Sequence, residues 1–213
     1  MALPWLLVAL AQLYRMQLGG GMAVVRAVLA GMAALIWGSG MLTVVTLLNP
    51  VLTAERVAGP PVLNSLVPAY LVPGVVLLVS LRWLGHLPRL LKRGILGLGV
   101  AFVTLYAGLA IRHWFQGPYL NAPGTTQGEL YTYTIALMAT GAALLYQAIA
   151  RRSAPLRRVA MTVIALTVAK VFLIDISGLS GLTRVFSFLA LGLSLAGLAW
   201  LNRWAAGQQE GRS

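Results

Sequence analysis

The sequence predicts an all-α protein: a polytopic transmembrane helical bundle of six full spans plus a short N-terminal seventh membrane helix. Three observations predict it. The 213-residue chain is 59% hydrophobic and 9% charged, with a mean hydropathy of +0.85, whereas a soluble domain carries about 25% charged residues. Its apolar residues fall into blocks of about 20, the length a helix needs to cross hydrocarbon. Its basic residues stand mainly between those blocks. A chain this apolar cannot cover a globular surface with polar groups, so lipid must be its solvent.

The elements follow in order. Leu3–Tyr14 is apolar but about half the required length. It lacks a basic residue before the apolar run and a small-residue cleavage site, so it reads as a short or partial membrane helix rather than a leader. The six full spans are Ala23–Leu48, Val62–Leu84, Gly94–Trp114, Leu130–Ala150, Leu156–Ile174 and Leu182–Trp204. Asn49-Pro50 and Gly59-Pro60-Pro61 bound the first long loop, and "QGPYLNAPGTTQGE" (116–129) is a second, rich in turn formers. Pro68 and Pro73 lie inside the second span, where membrane helices tolerate proline by local rearrangement, and predict a kink. "SGLSG" (177–181) reads as a tight turn that makes the last two spans a helical hairpin. The domain organisation expected is one membrane domain over 1–213: a short helix in 1–20, a six-span bundle in 23–204 and a cytoplasmic tail in 205–213.

A net charge of +12 would point to nucleic acid in a soluble chain. Here no groove-like mixture of aromatic and basic residues occurs, and membrane topology accounts for the charges instead. Arg15, Arg26, Arg82, Arg89, Lys92, Arg93, Arg151, Arg152, Arg157, Arg158, Arg203 and Arg212 fall on one side of the six-span arrangement. Arg56, Arg112 and Arg184 fall on the other. The first side is expected to be cytoplasmic and to include the C-terminus, in a bacterial inner membrane. Glu55, Glu129 and Asp175 then lie outside. The absence of cysteine excludes disulfides and thiolate chemistry.

Small residues recur at helical spacing: Gly94, Gly97 and Gly108 in the third span, Ala139, Gly141 and Ala143 in the fourth, Gly192 and Gly197 in the last. Such faces let membrane helices pack closely. Trp83, Trp114, Trp200 and Trp204 sit at predicted interfaces as belt anchors.

One stretch departs from this pattern. "AKVFLIDISGLSGLTRVFSF" (169–188) places Lys170 within an apolar run, about 7 Å inside the hydrocarbon edge at 1.5 Å per residue. Side chains lean toward the helix N-terminus, here the cytoplasmic end. Lys170 must therefore bend against that lean to snorkel outward, or meet an anion at a helix contact. Asp175 is nearest, although five residues turn about 140° on an ideal helix; Arg184 competes for it. Arg112 and His113 close the third span at the same level, Glu129 opens the fourth and Tyr131 follows. These seven residues form the candidate polar pocket. For each, an ordinary interfacial or salt-bridging role stands beside the functional one.

Known catalytic signatures are absent: no phosphate-binding glycine loop, no serine elbow and no histidine pair on one helix face. His86 and His113 are expected at opposite faces of the membrane, so no metal centre and no cofactor are expected.

The stretch "LRRVAMTVIALTVAKVFLIDISGLSGLTRVFSFLALGLSLAGLAWL" resembles the C-terminal end of a bacterial membrane family known as domain of unknown function 2339. "IRHWFQGPYL" and "GELYTYTIALMATGAALL" resemble the part before it, and "PAYLVPGVVLL" is weakly similar to an earlier span. The resemblance is specific from about Ile111 to Leu201. It implies a polytopic inner-membrane protein, and it marks Arg112, His113, Phe115, Glu129, Tyr131, Lys170, Asp175 and Arg184 without assigning them roles. Members are usually much longer, so the chain is expected to be a C-terminal portion, a split gene product or a truncation.

The functional expectation is an outward-facing pocket that binds, transports or helps assemble an anionic envelope component, such as a lipid head group or glycan. Arg112, Lys170 and Arg184 would supply charge, oriented by Glu129 and Asp175. The alternatives are an envelope transferase or hydrolase, with His113 or Glu129 as general base, and a structural scaffold subunit. Expected partners are the bilayer, an anionic lipid or glycan, and other membrane subunits or a missing N-terminal portion, with no nucleic acid.

Overall fold

Apolar blocks separated by Gly-Pro and basic segments fold as helices joined by turns. The computed structural model describes residues 3–18, 21–61, 63–175, 188–189 and 191–200. Its helices are α1 (Leu3–Arg15), α2 (Ala23–Thr46), α3 (Val72–Ser80), α4 (Arg89–Gln116), α5 (Gln127–Ala150), α6 (Ala154–Lys170) and α7 (Leu191–Trp200). No strand occurs among the described residues, although Arg56 and Tyr119 form an isolated antiparallel bridge. The chain divides into two compact units, Met1–Glu129 and Leu130–Ser213.

Among the described residues, three helices are long and apolar enough to cross a membrane: α2, α4 and α5. Their outward faces are apolar, with Leu35 of α2 75% exposed and Ile135 of α5 68% exposed. Such faces need cover by hydrocarbon or by another apolar surface.

Six full spans are not found among the described residues. The span expected over Val62–Leu84 is helical only from Val67 to Ser80, about 21 Å at 1.5 Å per residue, against a hydrocarbon core of about 30 Å. Asn64 shortens its start. Its amide donates to the Pro61 carbonyl at 3.0 Å, and its side-chain oxygen accepts from the Leu66 amide at 3.1 Å. These bonds hold a turn where hydropathy alone reads a helix. At the far end, turns follow through residues 81–87. The α-helical part of the span expected over Leu156–Ile174 is the 17 residues of α6. Within Leu182–Trp204, residues 188–189 and α7 are the helical parts described; the turn at 177–181 and Arg184 lie outside the described residues. The short first helix is present as the 13 residues of α1.

The first unit packs α1 to α4 around Leu6, Trp37, Met41, Leu66, Tyr70, Leu77, Phe102 and Leu109. Trp37 and Phe102 meet with ring centroids 5.8 Å apart, and the Tyr70 hydroxyl donates to the Val44 carbonyl at 3.3 Å. Helices α3 and α4 approach most closely at a glycine pair. A Cβ on Gly74 would lie 3.1 Å from the Gly99 carbonyl oxygen and 2.9 Å from Val103; one on Gly99 would lie 2.8 Å from Leu78. The glycines expected to serve packing on α4, Gly94, Gly97 and Gly108, face open space instead, as do Gly192 and Gly197. Spacing marks a small-residue stripe but not the side of the helix that meets a neighbour.

Proline shapes the start of α3. Pro73 has no N–H to donate, and its ring crowds the carbonyl four residues earlier. The five residues before α3, Val67–Leu71, form a π turn, and the Val72 amide bonds the Val67 carbonyl. A widened turn of this kind is one way a helix accommodates a proline ring and its missing donor.

One end of the first unit gathers most of its cations. The Arg26 guanidinium donates to the Arg15 carbonyl at 2.9 Å, the Gln17 amide to the Trp83 carbonyl, and Lys92 to the Gly85 carbonyl. At the opposite end the Val57 amide donates to the Pro118 carbonyl at 2.8 Å, joining the two long loops.

In the second unit α5 and α6 form an αα-hairpin through Arg151–Ser153. Arg152 adopts a left-handed φ of 48°, and Ser153 caps α6, its hydroxyl accepting from the Leu156 amide at 3.5 Å. Gly141 lies against Ile164, where a Cβ would come within 2.8 Å of that side chain. A second π turn, Val171–Asp175, extends α6.

Candidate functional site

The polar residues singled out in the sequence fall into two networks, one in each unit. The first closes the loop between α4 and α5. Helix α4 ends at Gly117, whose φ of 73° is open to glycine without strain, and the chain turns there so that carbonyls face back toward the helix. Arg112 collects them. Its Nε donates to the Leu120 carbonyl at 2.6 Å, Nη2 to the Ala122 carbonyl at 2.7 Å, and Nη1 to Glu129 Oε1 at 3.2 Å.

Glu129 lies in the first turn of α5, where the helix dipole favours a carboxylate, and is fully buried. Its second oxygen accepts from Gln116 Nε2 at 2.9 Å. The same Gln116 nitrogen reaches the Gly124 carbonyl at 2.9 Å, while the Glu129 amide donates to Thr126 Oγ1 at 3.2 Å. The loop is thus closed by one buried ion pair and a glutamine.

His113 is 4% exposed. Its Nδ1 lies 2.8 Å from the Gly117 carbonyl oxygen, and a carbonyl only accepts, so the geometry assigns the ring proton to Nδ1. Nε2 is then a bare acceptor, buried and without a hydrogen-bond partner among the described residues. Phe115 lies over Gly128, whose Cβ would come within 3.0 Å of the ring.

The second network centres on Lys170. Its ammonium donates to Asp175 Oδ1 at 2.6 Å, to Thr134 Oγ1 at 2.7 Å and to the Leu130 carbonyl at 3.1 Å. An ammonium has three N–H donors, so all three are matched. Thr134 also reaches Asp175 Oδ2 and the Leu130 carbonyl, 3.1 Å away; its single proton serves one of them at a time. The Lys170 and Asp175 side chains are 16% and 5% exposed.

Of the seven residues expected to form one pocket, Arg112, His113 and Glu129 belong to the first network, Lys170 and Asp175 to the second. Tyr131 is 41% exposed and takes part in neither. Arg184 lies outside the described residues. Sequence reading missed Gln116, Thr126 and Thr134, together with the carbonyls of Leu120, Ala122 and Leu130. A signal for two of them was present: Gln116 follows Arg112 by four residues, and Thr134 follows Leu130 by four, each one helical turn. Among the described residues no group of three His, Cys, Asp or Glu side chains is placed to hold a metal.

The sequence matches, over residues 1–204, the family described as "Predicted membrane protein (DUF2339)". The match takes in the N-terminal half, where the resemblance in the sequence is loosest. No curated protein and no solved structure matches the chain.

Proposed function

Because this chain belongs to the family of predicted membrane proteins DUF2339, we propose that it serves as a membrane-embedded structural or assembly component whose two ion pairs hold helix ends in place. The observation that carries this reading is the saturation of Lys170, whose three donors all meet acceptors of its own chain. A cation kept for an anionic lipid head group or glycan needs donors directed away from the protein. Arg112 is similarly turned inward, with Nε and both terminal nitrogens on its own loop and Glu129. Recognition of an anionic envelope component through these two cations is therefore the less favoured reading.

The test is thermal unfolding of the purified full-length chain in detergent. Lys170→Met and Glu129→Gln are each expected to lower the midpoint by several degrees. Wild-type midpoints for both variants would refute the structural assignment.

One observation favours a second reading, an envelope transferase or hydrolase. His113 Nε2 has the lone pair that a general base requires, and its ring is oriented by Gly117. Glu129 suits that role less, since each of its oxygens already accepts a hydrogen bond. His113→Gln in a chain that folds like wild type separates the readings: an enzyme loses turnover of an envelope substrate, a structural component keeps its assembly.

A further inference from the structure

The two short helices of the first unit enclose an apolar groove at the basic end of that unit. Leu7, Leu10 and Ala11 of α1 form one wall, Val75 and Val79 of α3 the other, around a volume of about 590 Å³. The α3 wall, Val67–Ser80, measures about 21 Å against a hydrocarbon core of about 30 Å.

The groove ends at two amphipathic aromatic side chains, Tyr14 and Trp83, of the kind that settle at head-group level. Two cations flank them. Arg15 follows Tyr14, and Arg82 precedes Trp83; both are exposed, and neither forms an ion pair among the described residues. The bond from Gln17 to the Trp83 carbonyl ties the two walls together there.

Carboxylates are scarce. The chain has four acidic residues, Glu55, Glu129, Asp175 and Glu210. Glu129 is paired with Arg112, and Asp175 with Lys170 in the second unit. Glu55 adjoins Arg56, whose bridge to Tyr119 belongs to the opposite end, and Glu210 lies outside the described residues.

We propose that this groove holds an acyl chain of an anionic phospholipid, with the phosphate between Arg15 and Arg82. Apolar walls bury the chain, the aromatic pair marks the depth of the glycerol region, and the two guanidinium groups face a phosphate without competition from a carboxylate among the described residues. The groove shares no residue with either ion-pair network, and the assignment does not depend on their role.

The experiment uses the full-length chain reconstituted in vesicles of brominated phosphatidylglycerol or brominated phosphatidylcholine, each diluted in unbrominated phosphatidylcholine. Bromine quenches tryptophan on contact, and the Trp83 contribution is obtained by difference from Trp83→Phe. Brominated phosphatidylglycerol is expected to quench Trp83 with an apparent affinity about 30-fold above that of the zwitterionic lipid, at about fivefold for each arginine beside an anionic head group. Arg15→Gln with Arg82→Gln should abolish that preference. Ala11→Phe, which fills the groove, should remove quenching by both lipids while helicity is retained.

Equal quenching by the two lipids would overturn the proposal in favour of bulk lipid contact. Protection of Trp83 that grows with protein density in the vesicle would overturn it in favour of a second copy of the chain. If the arginine variants fail to fold, the comparison of the two lipids on wild-type protein still decides.

Discussion

Lys170 and Asp175 are joined at 2.6 Å across five residues of the chain, a separation that an α-helix places on different faces. The π turn over Val171–Asp175 brings them together, because its register bonds each residue to the one five positions away. The pair and the widened turn therefore support each other: the ion pair favours the turn, and the turn supplies the geometry.

Breaking that pair from one side should be expensive. Asp175→Asn leaves an ammonium largely enclosed with no countercharge, and a loss of about 2–4 kcal/mol is expected. Lys170→Met with Asp175→Leu should recover much of it, because both charges are then absent. Chemical denaturation of the four-member cycle in detergent measures the coupling. A coupling below about 0.6 kcal/mol, the average for polar contacts in membrane proteins, would show that the π turn stands without the pair.

The loop between α4 and α5 depends on Arg112. Arg112→Gln removes the ion pair to Glu129 and donors to two carbonyls. The expected result is faster backbone hydrogen exchange through residues 117–126 by at least tenfold, with the middle of α4 unchanged. Exchange that rises equally throughout α4 would indicate loss of the helix instead.

The glycines of α3 and α4 should respond unequally. Gly74→Ala forces a Cβ against the Gly99 carbonyl, which is backbone and cannot yield, and a loss of about 1–3 kcal/mol is expected. Gly99→Ala meets Leu78 Cγ at 2.8 Å and the Gly74 carbonyl oxygen at 3.2 Å and should lose a similar amount. Gly97→Ala enters open space and should be neutral or gain up to about 1 kcal/mol from helix propensity. The order of the three unfolding midpoints checks the crossing point directly.

The absence of native cysteine makes sidedness measurable with single substitutions. Gly85→Cys, exposed at the basic end, should react with a membrane-impermeant maleimide only from the cytoplasmic side. Thr125→Cys, in the exposed loop before α5, should react only from outside. Labelling of Gly85→Cys only from outside and of Thr125→Cys only from the cytoplasmic side would overturn the orientation expected from the arginines.

Composition was sufficient to read the solvent of this protein, because 59% hydrophobic residues with only 9% charged leave too few polar groups to cover a globular surface in water. The family was legible in residues 111–201, where charged and aromatic positions punctuate apolar spans. Span count was less legible. Hydropathy scores Val62–Leu84 as one apolar block, but Asn64 bonds its neighbours and holds a turn, a local competition that an average over side chains does not register. In the candidate site, the charged residues could be named from sequence because charges in an apolar chain are conspicuous. Their partners could not, since most are backbone carbonyls and every residue has one.

What the sequence determined by itself was environment: helices in lipid, broken at glycine and proline, with cations concentrated between them. Tertiary structure decided which of those charges face one another and which glycines carry a helix crossing. Hydrophobicity depends on side-chain chemistry alone and is additive along a chain. Pairing depends on where a turn widens by one residue, as at Val171–Asp175, and that is fixed only when helices pack.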